Sequence, residues 1–158
     1  MKKIGCTGHR DLTRIAGFSE TQTRQTVARF FQEQEGDVEV WCGLADGADM
    51  LFAEEALQQG ISLVAVLPCE IEEYIQERMD KERFYRLIKQ TKAVYIKKNS
   101  RHRYLGVANE LLKDCDVLCV LWDGCKTPLY DGDKEINRGG TYDVIRLAKE
   151  AGKEIVYF

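Results

Sequence analysis

Short apolar segments alternate with amphipathic patterns along the 158 residues of the chain. Several apolar segments are nearly continuous runs of Val, Ile, Leu, Ala and Cys, which is typical of strands buried on both faces of a sheet. Their apolar continuity predicts that Val38–Cys42 and Val117–Trp122 are central, buried strands. The six strand candidates are Lys3–Cys6, Val38–Cys42, Ser62–Leu67, Ala93–Lys97, Val117–Trp122 and Glu154–Phe158.

Between these strand candidates, apolar residues recur at the three- and four-residue spacing of amphipathic helices. The clearest patterns cover residues 48–56, 74–88, 105–112 and 144–151. Strands that alternate with helices in this way predict a parallel sheet with helices on both faces. The fold class is therefore α/β, a single doubly wound domain over residues 1–158 with a mostly parallel sheet of about six strands.

Glycine-bearing or charged loops follow most of the strand candidates. Because ligands of open parallel sheets bind at the carboxyl ends of the strands, near the switch in strand order, these loops predict a ligand site on one rim. The loops are TGHRD at 7–11, GLADGAD at 43–49, PCE at 68–70, RHRY at 101–104 and RGGTYD at 138–143.

The loop after the second strand candidate carries Gly43, Asp46, Gly47 and Ala48 before a helical pattern. Free N–H groups at such a helix start suit a phosphate, so these residues are candidate ligand contacts. Asp46 or Asp49 is a plausible N-cap, and either carboxylate could instead accept a hydrogen bond from ribose hydroxyls. The alternative is a tight turn with a capping aspartate and no ligand.

The RGGTYD loop likewise places glycines directly before a helical pattern, here the last one of the chain. Gly139 and Gly140 allow a ligand to approach the backbone closely, and Thr141 can cap the helix or donate to a phosphate. Arg138 could add a charge-assisted contact. Asp143 falls in the first helical turn, where the helix dipole favours a carboxylate without any further role.

Two other segments supply cations. Thr7, Gly8, His9 and Arg10 end the first strand candidate, where an arginine fork suits phosphate and a histidine could contact a base. The basic segment 97–104 offers Arg103 as a phosphate ligand, or it is only a solvated loop.

Composition narrows the possible classes of function. The net charge of −3 disfavours nucleic acid as a partner, and no apolar run is long enough for a membrane span. Six cysteines without a CxxC pair indicate reduced, mostly buried thiols and a cytoplasmic protein. The N-terminus does not look like a signal peptide, and the sequence predicts no metal site and no cofactor.

Five ordered blocks resemble the YpsA-like branch of the SLOG superfamily, over nearly the whole chain. The blocks are CTGHRDL, GLADGADMLFAEEAL, AVLPCEIEEY, VANELLKDCDVLCVLWDG and GGTYDVIRLAKEAGK. The superfamily also contains the Lonely-guy phosphoribohydrolases and the Rossmann-like domain of DprA. The resemblance implies a Rossmann-like fold that binds a nucleotide, and some members are thought to sense nucleotide signals in antiphage systems.

The resemblance also marks a departure from the hydrolases. Lonely-guy enzymes carry a PGGxGTxxE pattern whose glutamate takes part in catalysis. If Gly140 and Thr141 match its GT, Val144 occupies the glutamate position. Asp143 is the nearest carboxylate, and TYD also resembles the GYE of deoxyribosyltransferase-like enzymes, where the glutamate is the nucleophile.

Two functions follow from these residues. The first is a module that binds a nucleotide or a derivative such as AMP or ADP-ribose, acting as a signal sensor. The second is hydrolysis of the N-glycosidic bond of nucleoside 5′-monophosphates, with Asp143 as the catalytic carboxylate and Glu110 as a more distant candidate. The resemblance and the aromatic and apolar residues of Ile71–Ile88 further predict a homodimer.

Overall fold

The computed structural model describes residues 1–126, 129–136 and 140–158, and in them the predicted α/β architecture is confirmed. One sheet holds six strands that all run parallel, in the order β4-β3-β2-β1-β5-β8. The strands are β1 Lys2–Gly8, β2 Val38–Cys42, β3 Ser62–Leu67, β4 Ala93–Ile96, β5 Val117–Leu121 and β8 Glu154–Tyr157. A separate antiparallel hairpin, which the sequence did not indicate, consists of β6 Leu129–Asp131 and β7 Lys134–Ile136.

Six α-helices connect the strands of the large sheet. They are α1 Glu20–Gln32, α2 Ala48–Gln58, α3 Ile71–Tyr74, α4 Lys81–Ile88, α5 Leu105–Leu112 and α6 Thr141–Glu150. None of the helices in the described ranges has the length and apolar character needed to span a membrane.

The strand order reverses beside β1, and this reversal creates the place for a site. The chain moves outward from β1 through β2 and β3 to β4, and then returns to place β5 on the other side of β1. Residues Gly5, Cys6 and Thr7 of β1 are in register with Leu118, Cys119 and Val120 of β5. The carboxyl ends of β1 and β5 are therefore adjacent at the switch point, where open parallel sheets bind ligands.

β2 and β5 are interior strands, as their apolar continuity predicted. Every residue of β5 is buried. Val117, Cys119 and Leu121 belong to the core on one face of the sheet, whereas Leu118 and Val120 pack with residues of α5 and α6 on the other. Both faces of β5 are covered by other residues. Polar side chains at alternate positions of this strand would therefore have been buried in one of the two cores.

The long helix expected over residues 74–88 is interrupted, which corrects that prediction. α3 continues into a short 3₁₀ turn, Ile75–Glu77, and α4 begins only at Lys81. The Asp80 side chain accepts from the Arg83 N–H at 3.0 Å and so caps α4, while Arg78 between the two helices is only 3% exposed. A capping aspartate and a buried arginine thus interrupt the segment that the apolar spacing predicted as one helix.

All six cysteines are free, five of them are buried, and Cys125 is exposed. The expectation of reduced, mostly buried thiols agrees with this arrangement.

Candidate functional site

A cavity of about 390 Å³ opens at the carboxyl edge of the sheet, around the ends of β1, β2, β3 and β5. Its volume falls in the range of small-molecule sites, about 300–1,000 Å³. The predicted residues that line it are Thr7, Gly8, His9, Arg10, Gly43, Gly140 and Thr141. The end of β1, the loop after β2 and the start of α6 therefore meet around one space, although Thr7 and Thr141 are 134 positions apart in the chain.

Other predicted site residues lie elsewhere. Asp46, Gly47, Ala48, Arg103 and Asp143 do not line the cavity. Arg138 and Gly139 lie outside the described residues.

The start of α2 is closed to a phosphate, which corrects the expected role of the GLADGAD loop. Gly47 is the N-cap, and the Ala48 N–H donates to the backbone oxygen of His9 at 3.0 Å. A Cβ on Gly47 would lie 2.2 Å from the oxygen of Arg10, and one on Gly8 would lie 2.4 Å from the Cβ of Ala48. These glycines allow the end of β1 to contact α2, so a backbone carbonyl occupies the place expected for the ligand.

The two aspartates of this loop do not cap α2 either. Asp46 instead accepts hydrogen bonds from the backbone N–H groups of Met79 and Asp80, at 3.0 and 3.4 Å. Asp49 turns back and accepts from the Ala45 N–H at 3.1 Å. Asp46 thus holds the break between α3 and α4 against the β2 loop, while Asp49 lines the cavity.

The start of α6 is open to the cavity. Gly140 is its N-cap. Among the residues that the structure describes, no side chain caps the helix, and a Cβ on Gly140 would meet no atom within 4 Å. Thr141 is the first helical residue, so it does not cap the helix, and together with Gly140 and Tyr142 it lines the cavity. The positive end of the helix dipole here favours an anion.

Arg10 supplies a cation at the same cavity. Its guanidinium donates to the hydroxyl of Tyr104 at 2.6 Å and lies 5.3 Å from the centre of that ring. No carboxylate of the described residues forms an ion pair with Arg10 within 4.0 Å. Arg10 does not pair with the adjacent Asp11, since Asp11 caps the following 3₁₀ turn at Thr13. The positive charge of Arg10 is therefore available to a ligand.

A second charged group adjoins the cavity and was missed from the sequence. His9 Nε2 lies 3.0 Å from Asp123 Oδ1, and an Arg14 nitrogen lies 3.1 Å from Asp123 Oδ2. The Cys125 N–H hydrogen bond and the neighbouring His9 lower the pKa of Asp123. Asp123 follows β5 directly, which placed it on the predicted rim, but no pattern separated it from an ordinary turn aspartate.

Asp49 is the buried carboxylate of the cavity, at 9% exposure. Burial raises its pKa to about 6, against the opposing effects of the Ala45 N–H and of the Arg78 and Arg10 charges. The sequence offered Asp49 only as a helix cap or as an acceptor for ribose hydroxyls. Its burial could not be read from the loop, because an exposed capping aspartate has the same sequence signature.

The remaining wall of the cavity is apolar and aromatic. Val107, Ala108 and Leu111 of α5 line it together with Trp122 and Tyr142. The rings of Trp122 and Tyr142 lie 6.4 Å apart at an angle of 26°. An apolar wall that faces a few convergent polar groups is the usual composition of a site for a ring-bearing ligand.

The position of Asp143 does not suit the catalytic role considered for it. The residue is 3% exposed, outside the cavity lining, and its carboxylate lies 4.0 Å from an Arg146 nitrogen one turn along α6. Val144, which stands at the glutamate position if Gly140 and Thr141 match the GT of the Lonely-guy pattern, does line the cavity. Its side chain is a hydrocarbon and offers no carboxylate there.

Arg103 is engaged outside the cavity. It pairs with Glu77, lies 3.7 Å from Glu73, and donates to the sulfur of Cys69 at 3.1 Å. Two carboxylates compensate its charge, so a phosphate would have to compete with them for Arg103.

No protein-family model matches the chain, and no curated protein matches it. Solved structures share its fold. DprA from Streptococcus pneumoniae superposes with a TM-score of 0.60 at 16% identity, over 99% of this chain and 50% of the DprA chain. The present chain thus spans half the length of DprA.

Two other neighbours match a larger share of their own chains. The structural-genomics target TM1055 gives a TM-score of 0.57 at 18% identity, over 98% of this chain and 72% of its own. A Moco carrier protein from Chlamydomonas reinhardtii gives 0.54 at 16% identity, over 99% and 75%. All three share the α/β fold of this chain, so the expected Rossmann-like fold is confirmed.

Proposed function

We propose that the cavity binds a nucleotide or a nucleotide derivative, with a phosphate at the start of α6. The observation that carries the proposal is the meeting, in one cavity of about 390 Å³, of an uncapped helix start with the unpaired guanidinium of Arg10. Backbone N–H groups and an arginine fork are two standard receptors for phosphate oxygens.

The apolar wall supports a ligand that also carries a ring. Trp122, Tyr142 and Tyr104 offer ring faces, and α5 offers aliphatic contacts, where a base or another heteroaromatic group could pack. The protein named as a Moco carrier among the structural neighbours is consistent with small-ligand binding on this fold. For the present chain we propose an AMP-like or ADP-ribose-like ligand and a role in signal sensing.

Binding is favoured over hydrolysis of an N-glycosidic bond. That reaction needs a carboxylate beside the anomeric carbon. Val144 offers none, and the buried Asp143 lies outside the cavity lining. If the protein is a hydrolase, Asp49 is the buried carboxylate that remains in contact with the cavity. The enzyme hypothesis therefore moves from Asp143 to Asp49.

Two broader expectations stay proposals. We propose a cytoplasmic location on the basis of the free thiols. The homodimer stays a prediction, but Tyr74, Ile75, Phe84 and Leu87 are buried in the core, which leaves Met79 and Tyr85 as the strongly exposed apolar residues of α3–α4. Light scattering at micromolar concentration will report the mass.

Calorimetric titration with AMP, ADP-ribose and a cyclic nucleotide tests the proposed function, using the wild type and Gly140→Val. The space around Gly140 accepts a larger side chain, so the fold should be kept while the branched methyl groups block the approach of a phosphate. Gly140→Ala is the matched small substitution and should weaken binding less. Equal nucleotide affinity of the wild type and the two variants would contradict the proposed placement of a phosphate at the start of α6.

A further inference from the structure

The carboxylate of Asp49 is buried beside the cavity without a compensating ion pair. One oxygen accepts the Ala45 N–H at 3.1 Å, and among the described residues no Lys, Arg or His nitrogen lies within 4.0 Å of the carboxylate. A buried charge without a partner is strongly unfavourable, so such groups usually meet a donor. Among the described residues, the backbone N–H groups of Ala45 and Gly43 stabilise the carboxylate, whereas a carboxylate can accept about four hydrogen bonds.

The two nearby guanidinium groups do not provide the missing donor. Arg10 donates to Tyr104, and Arg78 lies over the Tyr74 ring at 4.0 Å with its nearest carboxylate contact at Asp46. Arg78 is also absent from the cavity lining. These charges act on Asp49 at a distance, and its pKa is nevertheless raised to about 6, so they do not offset its burial.

We propose that Asp49 determines which ligand the cavity accepts, by taking a hydrogen bond from a hydroxyl or amino group of that ligand. This inference rests on the proposed nucleotide site and adds the recognition of a donor group to it. Asp49 follows β2 and α6 follows β5, and these strands flank β1. Two inter-strand spacings amount to about 10 Å, so one nucleotide can place its phosphate at α6 and a donor group at Asp49.

Two parts of a nucleotide could supply the donor, namely the ribose diol and the amino group of the base. Calorimetry at neutral pH with AMP, 2′,3′-dideoxy-AMP and purine riboside 5′-monophosphate separates them. We expect the wild type to bind one of the two analogues about 10- to 100-fold more weakly than AMP. This factor corresponds to the loss of one hydrogen bond to a charged group. The analogue that binds poorly identifies the source of the donor.

Asp49→Asn tests whether this selectivity comes from Asp49. The amide keeps the shape and the oxygen that accepts the Ala45 N–H, so the variant should fold and should bind AMP and the weak analogue within about threefold of each other. Asp37→Asn, at an exposed position outside the cavity lining, should keep the wild-type selectivity. Asp49→Ala serves as a second variant if Asp49→Asn is unstable.

The outcomes separate this inference from the proposed function. Wild-type binding of AMP with equal affinity for both analogues would overturn the role of Asp49 and leave the nucleotide site standing. Selectivity that survives in Asp49→Asn and Asp49→Ala would overturn it as well. Absence of binding by all three nucleotides and by ADP-ribose would overturn both proposals.

Discussion

The backbone oxygen of His9 accepts a hydrogen bond from the N–H of Ala48 at 3.0 Å, which joins the end of β1 to the start of α2. The contact requires glycine at positions 8 and 47, because a Cβ at either would overlap its neighbour. The sequence suggested that the start of α2 binds a phosphate. In the structure this helix start contacts the end of β1, and the start of α6 remains as the proposed phosphate site.

Replacing Gly47 with Ala should destabilise the fold. Gly47 has φ of 84°, and its Cβ would lie 2.2 Å from the oxygen of Arg10. Left-handed strain of about 1–2 kcal/mol adds to crowding of about 1–3 kcal/mol, so we expect a loss of about 2–5 kcal/mol in the free energy of unfolding. Urea denaturation measures it.

Gly60→Ala is the matched control for this crowding. Gly60 has φ of 73° but nothing within 4 Å of its Cβ position, so its substitution should cost only the backbone strain, about 1–2 kcal/mol. Equal losses for the two variants would contradict the proposed contact between β1 and α2.

Asp49→Asn should stabilise the free protein at neutral pH. The pKa of Asp49 is about 6 in the folded protein against 3.8 as the ordinary value, so the folded state takes up the proton more readily than the unfolded state. The ionised carboxylate therefore destabilises the folded state fully above pH 6, and this destabilisation decreases as the pH falls toward 4. The difference of about two pH units corresponds to about 3 kcal/mol in order of magnitude.

Urea denaturation of the wild type and Asp49→Asn between about pH 5 and pH 8 measures this effect. The variant should gain most over the wild type at the upper end of the range and about half as much at the lower end. Asp11→Asn should behave in the opposite sense, because hydrogen bonds from Thr13 lower the pKa of Asp11 and its contribution is lost as the pH falls. A stability difference between Asp49→Asn and the wild type that does not change with pH would contradict the raised pKa of Asp49.

Arg10→Ala should weaken nucleotide binding by about 1.5–3 kcal/mol, the contribution of a charge-assisted hydrogen bond. Tyr104→Phe removes the 2.6 Å bond that holds the guanidinium and should weaken binding less, since the charge is kept. Arg101→Ala, on the nearby basic segment but outside the cavity lining, is the control. If Arg10→Ala binds AMP with the wild-type affinity in calorimetry, Arg10 does not contact the ligand.

Incubation with nucleoside 5′-monophosphates and NAD-type compounds should release no free base. Val144 supplies no carboxylate to the cavity, and Asp143 lies outside it. Chromatographic detection of free base would instead support the hydrolase. Loss of that release in Asp49→Asn, with Asp143→Asn still active, would then identify Asp49 as the catalytic carboxylate, whereas the reverse result would restore Asp143.

The sequence was informative wherever burial follows from a repeated pattern. The continuous apolar residues of Val117–Trp122 predicted an interior strand, which the structure has at Val117–Leu121, and the glycine loops predicted the edge of the sheet where the cavity lies. The interruption at Arg78 was missed because the apolar spacing of Tyr74, Ile75, Phe84 and Leu87 also fits one long helix. Asp80, the cap of α4, was the available signal.

Individual roles within the site were less predictable, because the same residue type can face in two directions. Asp46 and Asp49 are three positions apart in one loop, yet one holds the α3–α4 break and the other lines the cavity. The choice depends on contacts with residues 79 and 80, which are distant in the chain. Such choices follow from tertiary packing, which local spacing does not encode.

The cavity walls come from residues as far apart as Thr7 and Val144, so the cavity forms only when most of the sheet is assembled. A ligand that occupies it binds the native state and not the unfolded chain. By mass action, a ligand at 100 times its dissociation constant adds about 2.7 kcal/mol to the free energy of unfolding. Melting temperature is therefore a direct readout of occupancy, and a metabolite library can be screened against the protein without a prior assay for its activity.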